Sequence, residues 1–476
     1  MLIQFVAGLF TRKGTKVDNL DRIFKAYDIR GVYPTEVNED IAWKIGFATG
    51  QFLRSLLRGY DRGQKAANRL IVGRDMRPHS ESLTKNLIEG VLASGLSCVD
   101  LGMCDTPMVY FAINHLGTCG GVQVTASHNP IEYNGFKIAG QKARPVGEDT
   151  GLKEIKHIVS VLRRTPAGET SATVEQVDLW NEYRQHVLQF LKLARPLKVV
   201  VDASNGMAGK MMPAVFDGTD LEIIPLNYEF GGGFAHPPNP LVEANLKQVC
   251  SVVRRRKVDF GICFDGDADR CMFVDEKGNI VRCDYITALL ARHFLTLYPG
   301  ATIVYDVRSS RVVPEEIQAA GGVPRRERVG HAFMKKAMAD AKGIFGGELS
   351  GHFYFRDNFN ADSGAIVFAV VASIVSSRSA PLSELVAPFK RYVQSGEINF
   401  RVQDKDAMIN QLAEKFSDGR QDRLDGLTVE YDDWWFNVRP SNTEPLLRLN
   451  LEAVNENLLM EKLQEVKSVL GEPVKE

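Results

Sequence analysis

Three stretches of the chain share one pattern of apolar and polar positions: a β-branched run, an aspartate in a polar loop, then a helical region. They are RLIVGRD (Arg69–Asp75), KVVVDASNG (Lys198–Gly206) and ATIVYDVRSS (Ala301–Ser310). The first leads into SESLTKNLIEGVLASG and the third into VVPEEIQAAGG, both amphipathic at helical spacing. A short apolar run bounded by turn residues reads as a buried strand. Strand–helix alternation predicts parallel α/β layers, and three widely spaced copies predict three related α/β domains with mixed sheets. Chance recurrence of a common strand–helix unit is the plainer alternative. In such layers ligands gather at loops beyond the carboxyl ends of the strands.

The tail follows a different pattern. After SGEINFRV (Ser395–Val402) come one helical stretch, AMINQLAEKFS, the strand-like LTVEYD, WWFNVRP and LLRLNLEAV, and a helix from Asn457 to Leu470. That order predicts a C-terminal α+β domain with an antiparallel sheet. The resulting divisions are 1–175, 176–280, 281–392 and 393–476. The longest apolar run, Ala365 to Val375, is about half of what a bilayer needs and predicts a buried helix.

Composition narrows the class. Hydrophobic content of 44%, charged content of 25% and a net charge of −1 describe a soluble globular chain, with no reason to expect nucleic-acid or membrane binding. The seven cysteines are scattered and lack CxxC spacing, so they read as buried thiols in a reducing compartment. The N-terminus places apolar residues before basic ones, the reverse of a secretory signal, although its lack of acids before Asp18 also suits an organellar presequence. A cytoplasmic location is expected.

Four loops carry the chemistry. Thr125-Ala126-Ser127-His128-Asn129-Pro130 follows the strand-like GGVQV and places a serine hydroxyl beside an imidazole on a Pro-terminated turn. Alone it is equally a polar turn, because serine needs a neighbouring base, metal or charged pocket to act as a nucleophile. Asp265-Gly266-Asp267-Ala268-Asp269-Arg270 offers carboxylates at alternate positions, a set that suits a hard cation such as Mg²⁺ or Ca²⁺. An EF-hand is the rival, but Arg270 at the sixth position, where that turn requires Gly, and the strand-like flanks favour a metal-binding β-hairpin, with a solvated acidic turn as the alternative. Gly346-Gly347-Glu348-Leu349-Ser350-Gly351-His352 brings Glu348, Ser350 and His352 together as hydroxyl readers, or forms a Gly-rich capped turn. Arg439-Pro440-Ser441-Asn442-Thr443-Glu444-Pro445, with Arg448, has the donors of a phosphate cradle and the prolines of an ordinary turn. Basic runs at Arg254–Lys257 and Arg325–Arg328 read as solvated surface. Taken together, the four loops point to phosphoryl transfer on a sugar phosphate.

In this order, TASHNP, DGDADR, GELSGH and RPSNTEP resemble the signatures of the α-D-phosphohexomutase superfamily, from FKAYDIRG (Phe24–Gly31) to the C-terminal domain. Within that superfamily the chain resembles the bacterial phosphomannomutase and phosphomannomutase/phosphoglucomutase enzymes. The resemblance implies four domains around a central active-site cleft and a small-molecule phosphosugar substrate. It implies that Ser127 is the phosphoserine, and that Asp265, Asp267 and Asp269 bind one Mg²⁺ with a phosphoserine oxygen. Glu348, Ser350 and His352 would face the sugar, and Arg439, Ser441, Asn442, Thr443 and Arg448 the non-reacting phosphate. Tyr27, Arg30, Lys137, Arg270 and His331 match further site positions, and Arg308 stands where some relatives carry Lys. The chemistry implied runs through a hexose 1,6-bisphosphate, with His128, His331 or Lys137 as candidate bases. A monomer or homodimer is expected.

Phosphoglucosamine mutases, a sister group, usually carry Gly at the place of Asn442 and Gln at that of Leu349. The chain therefore leans toward mannose and glucose phosphates. A phosphoglucosamine mutase, a serine-dependent metallophosphatase and a non-catalytic phosphosugar-binding paralogue are the alternatives.

Overall fold

A computed structural model describes residues 20–57, 68–164, 171–231, 233–441 and 446–474. They fall into two compact units, residues 20–280 with 361–379, and 281–360 with 380–474.

The first unit holds two mixed sheets. In one, Arg69–Arg74 lies between parallel neighbours Ser97–Met103 and Gly120–Val124. Tyr133–Gly140 returns antiparallel to Gly120–Val124 and pairs in turn with Ile29–Val32. In the other, Leu197–Asp202 lies between parallel Leu221–Leu226 and Phe260–Phe264, and Cys271–Asp275 returns antiparallel. The second unit repeats this module: Thr302–Asp306 is flanked by parallel Val323–Glu327 and Phe345–Gly347, with Phe353–Phe355 returning antiparallel.

The repetition explains where the motifs sit. TASHNP, DGDADR and ELSGH occupy the same turn of the module, the one joining the outer parallel strand to its antiparallel return. The metal-loop hairpin expected from its strand-like flanks is present.

The last sheet is antiparallel throughout, in the order Val393–Arg401, Leu446–Ala453, Trp434–Pro440, Leu427–Glu430, Arg420–Asp422. Helices Lys405–Lys415 and Glu456–Leu470 cover it, with Leu412, Phe416, Leu449, Leu463 and Val466 in a shared core. Asp404 and Asn455 cap these helices by accepting from Ala407 N and Leu458 N. The polar edge strand Arg420–Asp422 carries no apolar alternation and was not predicted; its backbone pairing with Leu427–Glu430 holds it.

The apolar run near 370 forms the helix Gly364–Ser377, buried as expected. It belongs to the first unit, where Phe368 packs edge-on against Phe216, with ring centroids 4.9 Å apart, and also touches Phe260. All seven cysteines are buried, and none is in a disulfide. Among the described residues no single helix is long and apolar enough to cross a membrane. The basic run Arg325–Arg328 is less exposed than expected, because Arg326 is half-buried between Glu430 and Asp422, paired to both.

Candidate active site

In the first unit, two equivalent turns meet. Ser127 sits in the left-handed region with φ +52°, a conformation that costs a non-glycine residue and is held here by its surroundings. Its Oγ donates to Asp265 Oδ2 at 2.8 Å, with Arg270 Nη2 and His128 Nδ1 each 3.4 Å away. Gly266 makes the approach possible: a Cβ there would lie 2.3 Å from the Ser127 carbonyl oxygen.

Cations surround the carboxylates. Lys137, on the return strand, donates to Asp267 at 2.7 Å and to Asp269 at 2.5 Å. Arg270 Nε donates to Asp265 at 3.0 Å, and Thr106 Oγ1 to Asp267 at 2.5 Å. Arg30 reaches the serine turn from the edge strand, donating to Asn129 Oδ1 at 2.7 Å and to the Ala126 carbonyl at 3.3 Å. Tyr27 lies in the turn that precedes the same strand.

Burial, Asp269 and Asp267 push Asp265 up to about 8. Asp267 stays below the ordinary range: burial and Asp269 oppose its ionisation, but Lys137 and Thr106 outweigh them. Burial and the cations Arg270, Arg30 and Lys137 hold the His128 imidazole well below 6.5, so it is neutral near pH 7.

One oxygen each from Asp265, Asp267 and Asp269 lies within 4.8 Å of the others, and Asp267 Oδ1 is buried with no hydrogen-bond partner among the described residues. Three buried carboxylates with an orphaned oxygen fit a hard, oxygen-loving divalent cation.

In the second unit, Glu348 is held from three sides. Tyr354 Oη donates to Oε1, while the Gly330 N–H at 3.2 Å and Ser350 Oγ at 3.3 Å donate to Oε2. His352 Nδ1 is 3.0 Å from Ser350 Oγ. His331 opens the helix His331–Asp340 with its ring centroid 6.3 Å from that of His352. Burial and Asp306 push Glu348 up to about 7, against the pull of Arg308.

A second cluster forms on the antiparallel sheet. Arg439 and Arg448 face each other in register and both donate to Glu397, at 2.8 and 2.9 Å. Arg308 Nη1 stands 3.9 Å from the same carboxylate. Burial opposes ionisation of Glu397, but Arg439, Arg308 and Arg448 hold its pKa below the usual carboxylate range. Ser441 is buried and its carbonyl accepts from Lys405 Nζ at 2.9 Å. Asn442 and Thr443 lie outside the described residues.

Sequence reasoning missed Glu397, Thr106 and Lys405. Each stands in an unremarkable strand or helix sequence, and only the sheet register and packing bring it to the site.

Models of the phosphoglucomutase/phosphomannomutase family match the chain four times: α/β/α domain I at 21–164, domain II at 181–278, domain III at 282–392 and the C-terminal domain at 397–468. The chain is 39% identical to a phosphomannomutase of Escherichia coli over 450 residues, 92% of this chain and 96% of that one. It is also 39% identical to a phosphohexose mutase of Xanthomonas campestris, covering 94% and 98% of the two chains. A crystal structure of a phosphoglucomutase/phosphomannomutase family protein from Burkholderia thailandensis matches with a TM-score of 0.85 at 32% identity, covering 95% of this chain and 98% of that one. The chain is thus an isomerase of the phosphohexomutase class. Within that class it belongs to the phosphoglucomutase/phosphomannomutase family.

Proposed function

We propose that the chain is a phosphomannomutase that interconverts mannose 6-phosphate and mannose 1-phosphate, and turns over the glucose phosphates as well. The observation that carries this reading is Ser127 Oγ seated 2.8 Å from Asp265 with Arg270 over it and Lys137 on the adjoining carboxylates. Such a site can hold a dianionic phosphoryl group on the serine and balance its charge. The relatives named phosphomannomutase support the sugar assignment.

In this reading Ser127 carries the phosphoryl group and passes it to O1 of a bound hexose 6-phosphate. The resulting hexose 1,6-bisphosphate turns over in place, its other phosphate returns to Ser127, and hexose 1-phosphate leaves. A loose transition state asks for positioning and charge more than covalent help. Arg270, Lys137 and Arg30 supply positive charge near the serine. Asp265, Asp267 and Asp269 would hold Mg²⁺, which when bound neutralises charge on the transferred group. His128, kept neutral, is able to accept a proton, whereas burial is outweighed at Lys137 by Asp267 and Asp269, which hold its ammonium charged. Glu348, Ser350 and His352 are assigned to the sugar hydroxyls. Arg308, Arg439, Ser441, Asn442, Thr443 and Arg448 are assigned to the non-reacting phosphate, where one clamp must accept either phosphate of the intermediate.

The test is a coupled assay with mannose 1-phosphate, glucose 1-phosphate and glucosamine 1-phosphate, each with and without Mg²⁺ and a hexose 1,6-bisphosphate. Mannose and glucose substrates should turn over, dependent on Mg²⁺, and Ser127→Ala should abolish turnover. Equal turnover of the glucosamine substrate would move the chain to the sister group. Phosphate release matching isomerisation would make it a phosphatase.

A further inference from the structure

The turn that carries Ser127 is held from inside by one buried guanidinium. Four carbonyl oxygens of the turn, those of Ser127, Asn129, Pro130 and Tyr133, converge on Arg77. Its Nη2 donates to Ser127 O at 2.9 Å and Asn129 O at 2.7 Å, and its Nη1 to Pro130 O at 2.5 Å and Tyr133 O at 3.0 Å. Its Nε donates to Asp75 Oδ2 at 3.1 Å. All five guanidinium N–H groups are thereby used, and the side chain is 0% exposed.

Asp75 completes the hold. It follows directly on the central strand, accepts from the Arg77 N–H and Ser80 Oγ, and accepts from Thr125 Oγ1 at 2.7 Å. Thr125 Oγ1 in turn accepts from the Ser127 N–H at 2.9 Å. Ser127 is therefore gripped at both its carbonyl and its amide by one ion pair. Phe234, from a loop of the second domain, lays its ring 5.3 Å from the Arg77 guanidinium carbon and covers it.

A turn of ordinary stability needs no buried charge, since desolvating an arginine is costly unless every donor is matched. What this arrangement achieves is a hydroxyl fixed in a disfavoured backbone conformation. Resting on the reading of Ser127 as the phosphoryl carrier, we propose that Arg77 is the positioning residue of the reaction. It touches neither substrate nor reacting atoms, and acts by holding Ser127 Oγ at one point relative to the carboxylate cluster. A misplacement of about 1 Å in such a group costs on the order of 100-fold in rate.

The experiment compares wild type, Arg77→Lys and Thr125→Val. Lysine keeps the charge but offers three donors in place of a five-donor fork. For folded Arg77→Lys, kcat should fall about 100-fold with KM within about threefold, because the residues assigned to the sugar and its other phosphate lie in the second unit. Hydrogen exchange of the amides in 124–134 should rise in the variant, and Thr125→Val should move both readouts the same way by a smaller factor. A folded Arg77→Lys with wild-type kcat and unchanged exchange overturns the proposal. If Arg77→Lys does not fold, Thr125→Val decides alone: wild-type kcat and exchange overturn it, and a kcat loss at constant KM supports it. Wild type that turns over no phosphosugar would defeat the functional reading instead, while exchange would still report on the clamp.

Discussion

Arg77 and Arg308 occupy the same place in two copies of one module, and they do opposite things. Each stands two residues beyond the aspartate at the end of a central parallel strand, just past it for Asp75 and its last residue for Asp306, and each donates its backbone N–H to that aspartate, at 3.1 Å and 2.7 Å respectively. The second oxygen of each aspartate reaches the functional turn of its own domain. Asp75 accepts from Thr125 Oγ1, and Asp306 from the Leu349 N–H, both at 2.7 Å. Beyond that the two differ. Arg77 turns inward and spends every donor on its own turn. Arg308 keeps Nε and Nη2 on Asp306, while its Nη1 faces Glu397 at 3.9 Å beside two further arginines. One guanidinium is closed on its own turn, and the other is open toward Glu397. The scaffold supplies the aspartate and its turn; the direction taken by the arginine two residues on decides whether it folds back onto its own turn or reaches toward the antiparallel sheet.

Removing the aspartates should separate the two most sharply. Asp75→Ala strands a fully buried charge and should cost about 3–5 kcal/mol in urea unfolding. Asp306→Ala should cost less than half of that, since Arg308 keeps Glu348 and Glu397 within 3.9 Å. Equal losses would erase the distinction between a closed and an open guanidinium. Next in size is Arg308→Lys, expected to raise KM for the hexose phosphates about tenfold by exchanging a fork for a point charge. Its unfolding midpoint and kcat should stay near wild type, the reverse of the pattern expected for Arg77→Lys. A kcat loss at constant KM would place Arg308 with the positioning residues.

Much of the scaffold was legible in the sequence because it is written locally. The three strand–Asp stretches, the strand flanks of DGDADR and the all-apolar helix near 370 each depend on neighbours a few residues away. The turns TASHNP, DGDADR and ELSGH were legible for the same reason. The choice between the two arginines was not: GRDMRP and YDVRSS both show an arginine two residues after the aspartate. Whether it folds back depends on carbonyls some fifty residues distant, at Ser127 to Tyr133. Glu397 was invisible for a related reason. In SGEINFRV it is one polar position of a strand, and only the register with Leu446–Ala453 brings Arg448 to it, while Arg439 arrives from the next strand. The strand Arg420–Asp422 lacks any apolar signal, and its existence depends on backbone pairing at a sheet edge.

The second domain supplies the third copy, and with it the smallest effect. Here Ser204 takes the position of the arginines: its N–H donates to Asp202 at 2.9 Å, and its Oγ donates to the Phe264 carbonyl at 2.6 Å, at the end of the strand that enters the metal loop. The other oxygen of Asp202 meets a titratable group, His236 Nε2, at 3.1 Å, and His236 Nδ1 is 3.0 Å from the Pro237 carbonyl. Both partners are acceptors, so they favour the protonated ring, which donates from both nitrogens. Burial works against that charge, but Asp202 and the Pro237 carbonyl outweigh it and hold the pKa above 6.5. A pKa raised by folding stabilises fully below 6.5 and loses that contribution as pH rises through the folded-state value. Of the three aspartate turns, this one alone should therefore weaken with alkali. The stability difference between wild type and His236→Gln, measured by urea unfolding, should be largest at about pH 6 and shrink toward about pH 8.5. A difference that grows with pH would mean that the neutral ring is the form the fold selects, and that Asp202 is held like its two counterparts by groups that do not titrate in this range.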